Sequence, residues 1–164
     1  MSRSFEGKTV AITGAAGGIG QWLCRFFGAE GATIAALDRS EGVHGLVDAL
    51  GRDGIMVKAA VADIASAAAV KAAFDGFGDV HLLINNAGVS RHPTLAVTDP
   101  AGWEEEIAAN LNGAYACAHA VLPQMVARRS GSIVSVGSVN GLAALGDPAY
   151  SAAKAGMIAM TKAI

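Results

Sequence analysis

Tyr150 and Lys154 stand four residues apart in a stretch, from Pro148 to Ile164, that reads as one helix. That spacing puts both side chains on one helical face. A free phenol titrates near about 10 and is a weak base at neutral pH. A unit positive charge about 4 Å away contributes ~4 kcal/mol at an effective dielectric near 20, up to ~3 pKa units before desolvation losses. Such a pair has the makings of a general base for a hydroxyl proton, and of the acid that returns it. Ser138, at the end of an apolar run, carries a hydroxyl that both donates and accepts. It can hold an oxygen on which charge develops, or be one more strand-end serine beside Ser132 and Ser135. Asn110 falls inside a long helical stretch, where asparagine fits poorly. It either kinks the helix, holds a water beside Lys154, or faces a polar gap.

A second constellation lies near the start. Thr13-Gly14-Ala15-Ala16-Gly17-Gly18-Ile19-Gly20 follows an apolar run and opens a helix. Glycines there let the chain turn sharply and bring its backbone up to a ligand without a Cβ in the way. The helix N-terminus offers free N–H groups and a positive dipole end to a pyrophosphate. The plain alternative is a tight strand-to-helix turn. Asp38 ends the second strand, 18 residues beyond Gly20, near the spacing at which a carboxylate meets an adenosine ribose. A carboxylate accepts from both ribose hydroxyls and repels a 2′-phosphate, which favours NAD over NADP. Arg39 beside it pulls the other way.

The elements that must position these groups alternate. Strands are expected at Lys8–Thr13, Ala32–Asp38, Ile55–Val61, Val80–Asn85 and Ser132–Val136, each a short apolar run bounded by turn residues. Helices are expected at Gly18–Ala29, Glu41–Leu50, Ser66–Phe77 with Ser66 as cap, Asp99–Ala127 capped by Thr98 or Asp99 with Pro100 in its first turn, and Pro148–Ile164. That alternation predicts an α/β fold with a parallel sheet and right-handed crossovers, in a single domain over 1–164.

Four motifs together, TGAAGGIG at 13–20, NNAG at 85–88, Ser138 and YSAAK at 150–154, resemble the short-chain dehydrogenase/reductase family. The three-residue gap between Gly14 and Gly18 matches its short, single-domain branch. The resemblance implies a Rossmann-type doubly wound sheet with strand order 3-2-1-4-5. It implies that Gly14, Gly18, Ile19 and Gly20 line the pyrophosphate turn, Asp38 holds the ribose, and Asp63 and Ile64 sit at the adenine. Asn85, Asn86, Ala87 and Gly88 would stabilise the sheet centre and pass the nicotinamide ribose. Asn110, Ser138, Tyr150 and Lys154 would form the catalytic group, with Tyr150 and Lys154 also touching the cofactor. The activity implied is hydride transfer between a nicotinamide cofactor, NAD favoured, and a secondary alcohol or carbonyl compound. Helices 99–127 and 150–164 would form a subunit interface of a homotetramer or dimer. Family members continue through a sixth strand, a substrate-covering segment and a seventh strand, so the chain is expected to be C-terminally incomplete. Val89 to Pro93, with Arg91 and His92, and Asn140 to Leu145 would line the substrate pocket without naming the substrate.

Composition narrows the alternatives. The chain has 164 residues, 52% hydrophobic and 16% charged, with net charge −2, which excludes disorder. No basic stripe points to nucleic acid and no basic amphipathic helix to a membrane surface. Residues 107–127 carry no charge, but Asn110, Asn112, His119, Pro123 and Gln124 interrupt them, so they read as a buried or interface helix. Cys24 and Cys117, far apart, suit a reducing cytoplasm. His44, His81, His92 and His119 are scattered and make no metal site, and Ser138 has no His–Asp partnership for hydrolysis. The competing readings are a nucleotide- or partner-binding module without turnover, or a fragment that aggregates.

Overall fold

Val10 and Ile12 of the first strand pack into one apolar layer, and Ala11 between them into a second. The second strand repeats the division, with Ile34 and Ala36 on one side and Ala35 and Leu37 on the other. Strands apolar on both faces need cover on both faces, which is why they run parallel between helices. The computed structural model, which describes residues 4–164, has five parallel strands: β1 (Thr9–Thr13), β2 (Thr33–Asp38), β3 (Val57–Val61), β4 (Leu82–Asn85) and β5 (Ser132–Ser135). Their order is β3-β2-β1-β4-β5. Register runs from Val10 against Ile34 on one side to Val10 against Leu82 on the other.

Helices α1 (Gly18–Ala29) and α2 (Gly42–Arg52) cover one face through Cys24, Val43, Leu46 and Leu50. On the other face lie α3 (Ala67–Phe77) and α5 (Gly113–Ala127), with Val70, Phe74, Val121 and Met125. Ser66 caps α3 by accepting from the Ala69 amide, and Asp99 caps α4 (Pro100–Ile107) by accepting from Gly102.

The helix expected over 99–127 is not continuous. Residues Ala108–Asn112 form a π-helical turn between α4 and α5. Asn110 sits in that turn, and its Nδ2 donates to the Glu106 carbonyl at 2.9 Å and to the Val89 carbonyl at 2.7 Å. The side chain competes for the helix's own carbonyl, a local cause for the widened turn. A short helix, α6 (Asn140–Ala143), was not expected from the sequence. It is one turn long and shows no periodicity to read. The last helix, α7 (Pro148–Ala163), lies against the α4–π–α5 rod, where a Cβ on Gly156 would stand 3.0 Å from Leu111. No helix among the described residues is long and apolar enough to cross a membrane.

Because β1 has β2 on one side and β4 on the other, the chain leaves these two strands toward opposite directions of the sheet. The crevice beyond their carboxyl ends is where ligands bind in folds of this kind.

Candidate functional site

The loops that follow β1 and β4 are tied to each other. Thr13, buried at the end of β1, accepts on its Oγ1 from the amides of Asn86 (3.1 Å) and Ala87 (3.0 Å). Asn86 returns the tie, with Nδ2 donating to the carbonyls of Thr13 (2.9 Å) and Gly14 (3.3 Å). Thr13 opens the glycine motif, but nothing in its sequence position marks this role. Its role becomes visible only when β1 and β4 are neighbours.

The glycines divide by what a Cβ would meet. At Gly14, with φ +65°, it would lie 2.9 Å from Ala87 Cα. At Gly20 it would lie 2.0 Å from the Gly14 carbonyl oxygen, an impossible contact. Gly14 and Gly20 therefore let the turn pack on itself and on the β4 loop. Gly18 has no protein atom within 4 Å of its Cβ position. Its smallness serves open space. The N-terminus of α1 carries no side-chain cap, so its first amides remain available to an anion.

Around these loops lies a cleft of about 370 Å³. Gly14, Gly18, Ile19, Gly20, Asp38, Asp63, Ile64, Asn86, Ala87 and Gly88 all line it, with Arg39, Val89 and Ala109. Its lining thus runs from the second strand, past the glycine turn, to the chain after NNAG. Asp38 accepts from the Ala16 amide at 2.9 Å through Oδ2 and from Ser40 at 2.9 Å through Oδ1. It braces the glycine turn while facing the cleft. Asp63 accepts from the Ala65 amide at 2.9 Å. An uncapped helix end, an open Gly18 and a carboxylate at the far wall fit an extended dinucleotide in charge and in shape.

Two of the expected catalytic residues, Asn110 and Lys154, back onto the cleft at Gly88. A Cβ there would stand 2.7 Å from Asn110 Oδ1 and 3.5 Å from Lys154 Nζ. Asn110 is buried, and its Oδ1 accepts from the Val89 amide at 3.0 Å. Lys154 is 2% exposed, donates to the Val136 carbonyl at 2.9 Å, and lies 5.6 Å from the centre of the Tyr150 ring. Burial lowers its pKa from the usual lysine range. Ser138 follows β5 and accepts from the Asn140 amide at 3.2 Å through Oγ. Asn85, buried, donates to the Ala114 carbonyl at 3.3 Å and so binds β4 to α5 rather than facing the cleft.

Two side chains expected at the substrate pocket are engaged elsewhere. Arg91 pairs with Glu105 at 2.6 Å, and His92 Nδ1 lies 2.8 Å from Glu106 Oε1. Both acids are on α4, whose contacts with the chain after β4 do not follow from sequence order.

The family model for short chain dehydrogenases matches residues 8–164. The chain belongs to the short-chain dehydrogenase family. It is 37% identical to (2S)-[(R)-hydroxy(phenyl)methyl]succinyl-CoA dehydrogenase subunit BbsD of Thauera aromatica, over 98% of this chain and 66% of that protein. Among solved structures, a short chain dehydrogenase/reductase family oxidoreductase from Burkholderia thailandensis shares 48% identity, with a TM-score of 0.89. That alignment covers 95% of this chain and 61% of the other. A gluconate 5-dehydrogenase from Burkholderia cenocepacia J2315, in complex with NADP and tartrate, shares 34% identity at a TM-score of 0.91. It covers 99% of this chain and 66% of the other. The chain therefore spans less than two thirds of the length of these relatives.

Proposed function

We propose that this chain is the cofactor-binding and catalytic portion of a short-chain dehydrogenase that moves a hydride between a nicotinamide dinucleotide and a secondary alcohol or carbonyl compound. One observation carries the reading. The cleft lined by the glycine turn, Asp38 and Asp63 ends at Gly88, and Gly88 backs directly onto Asn110 and Lys154. The dinucleotide, when bound, supplies the hydride acceptor or donor.

The chain's own residues do the rest. The α1 amides at Gly18 to Gly20 bind the pyrophosphate. Asp38 accepts from the adenosine ribose and disfavours a 2′-phosphate, so NAD is the preferred cofactor. Asp63 and Ile64 flank the adenine, and Asn86 to Gly88 flank the nicotinamide ribose. Tyr150 takes the proton from the substrate hydroxyl onto its Oη in oxidation and returns it in reduction. The Lys154 ammonium beside its ring favours the phenolate. Ser138 Oγ holds the substrate oxygen as charge develops. Asn110 fixes Val89 and the π turn next to Lys154.

The exposed Tyr115 and Val126 on α5 support a homo-oligomer, dimer or tetramer, formed through helices 99–127 and 150–164. Cys24 and Cys117, buried as free thiols, support a reducing cytoplasm. The test is an NAD-reduction screen across secondary alcohols with the protein containing this chain. It is run beside NAD titration calorimetry of the 164-residue chain. Saturable NAD binding with alcohol-dependent reduction supports the reading. NAD binding without turnover on any alcohol or carbonyl compound would leave a nucleotide-binding module in its place.

A further inference from the structure

Glu106 stands out among the charged residues because its side chain is 0% exposed. It lies on α4, four residues before Asn110. Its Oε1 accepts from three donors: the backbone amides of Arg91 (2.9 Å) and His92 (3.1 Å), and His92 Nδ1 (2.8 Å). A carboxylate only accepts, so Nδ1 carries the hydrogen. Its other oxygen, Oε2, is buried with no partner among the described residues. A buried carboxylate with a bare oxygen is costly, and here only the three donors at Oε1 offset that cost. The cost is incurred at one place, the strap that leaves the cleft.

That strap, residues 89–93, is held at every step. Val89 lines the cleft and is clasped by Asn110 through both its N–H and its carbonyl. Ser90 Oγ donates to Asp147 Oδ2 at 2.6 Å, and Asp147 N donates to the Pro93 carbonyl at 3.1 Å. Asp147, at φ +45°, is the residue from which α7 starts, with Tyr150 in its first turn. Arg91 and His92, the middle of the strap, hang on Glu106. The His92 ring is admitted by Gly102, where a Cβ would stand 2.6 Å from Cε1. The strap thus joins the nicotinamide end of the cleft to the start of the helix that carries Tyr150.

We infer that Glu106, acting through His92 and the strap, is a positioning residue for the nicotinamide end of the site. The inference rests on the proposed dinucleotide binding. It touches neither cofactor nor substrate directly, and it sets where Val89 and the first turn of α7 stand.

The test compares NAD with ADP, which reaches only the glycine-turn end, by titration calorimetry on the 164-residue chain. His92→Phe keeps a ring over Gly102 and removes the N–H. It is expected to weaken NAD by about fivefold to tenfold, the scale of one lost hydrogen bond, while leaving ADP unchanged. His92→Asn, whose amide nitrogen can stand where Nδ1 stands, is expected to restore NAD affinity to near wild type. Glu106→Leu is expected to exceed His92→Phe, and if it does not fold the two His92 variants carry the comparison. Equal losses for NAD and ADP, or no loss for either, overturn the inference while dinucleotide binding stands. If the wild-type chain itself binds no NAD, the functional reading falls and takes this role with it.

Discussion

The ammonium of Lys154 lies 5.6 Å from the centre of the Tyr150 ring and is held there by the Val136 carbonyl. The lysine is therefore fixed by the strand end as well as by its helix. Its hydrogen bond to the main chain offsets the cost of burying a cation beside a phenol.

Tyr150→Phe follows directly from this arrangement. The ring and its packing remain, and only the hydroxyl is lost. Turnover in the active protein is expected to fall by about 10²–10⁴-fold, the usual contribution of a positioned acid or base. NAD affinity measured by fluorescence titration should stay close to wild type. Retention of most of kcat would remove Tyr150 from the reaction.

The glycine turn separates into two kinds of position, and substitution tells them apart. Gly20→Ala brings a methyl within 2.0 Å of the Gly14 carbonyl oxygen, so the turn must open and the melting temperature should drop. Gly18→Ala meets no protein atom. Its melting temperature is expected to hold, because alanine is tolerated in a first helical turn. NAD and ADP should both bind more than about tenfold more weakly, since the methyl stands between phosphate and amides. A Gly18→Ala chain that binds both normally would exclude this turn as the phosphate site.

Asp38 braces the turn and faces the cleft, so alanine would confound two effects. Asp38→Asn leaves an amide oxygen to accept from Ala16 and removes the charge, giving up only the acceptor of the solvent-exposed Ser40 amide. The NADP-to-NAD affinity ratio is expected to rise by about tenfold, roughly 1.4 kcal/mol, as repulsion of a 2′-phosphate disappears beside Arg39. Competitive binding of the two dinucleotides reads this ratio, and an unchanged value would place the ribose elsewhere.

Acid stability should depend on His81. Its Nδ1 accepts from the Thr9 amide at 3.1 Å, which demands the neutral ring. Burial, with Arg128 and Lys8 adding to it and Asp79 opposing, lowers its pKa from 6.5. For a base with a depressed folded pKa, the unfolded chain binds the proton first. Stability from this contact is therefore complete above about 6.5 and lost as pH falls through the folded value. His81→Asn, which keeps an acceptor and cannot titrate, should flatten urea-derived stability between about pH 6.5 and 5 relative to wild type. Parallel curves for the two chains would show that His81 carries none of the slope.

Local pattern was enough for the five strands, for α1, α3 and α7 to within a residue or two, and for the Ser66 cap, while between Thr98 and Asp99 the structure chose Asp99. Apolar runs, breakers and capping residues act over a few positions and leave a trace in the chain. Within the cleft lining, the glycines of the first turn were readable for the same reason, because sharp turns and close backbone approach demand particular residue types, and Asp38 by its spacing from Gly20; Ile19, Asp63, Ile64 and Asn86 to Gly88 came only with the family resemblance. Asn110 was legible as a misfit, yet the π turn it sits in was not. Of its two acceptors, one is the Val89 carbonyl, 21 residues away in sequence, which holds the side chain where it reaches the helix's own carbonyl. Arg91 and His92 looked like pocket residues until α4 supplied Glu105 and Glu106. Thr13 and Glu106 gave no sequence signal beyond a buried-strand threonine and one of three consecutive glutamates. By itself the sequence determined the five strands, the long helices apart from the π turn that breaks one of them, and which residue types stand at their ends. Only the tertiary structure decided which ends meet, because a side chain's partner is set by the strand order and helix packing that bring distant segments within hydrogen-bond reach.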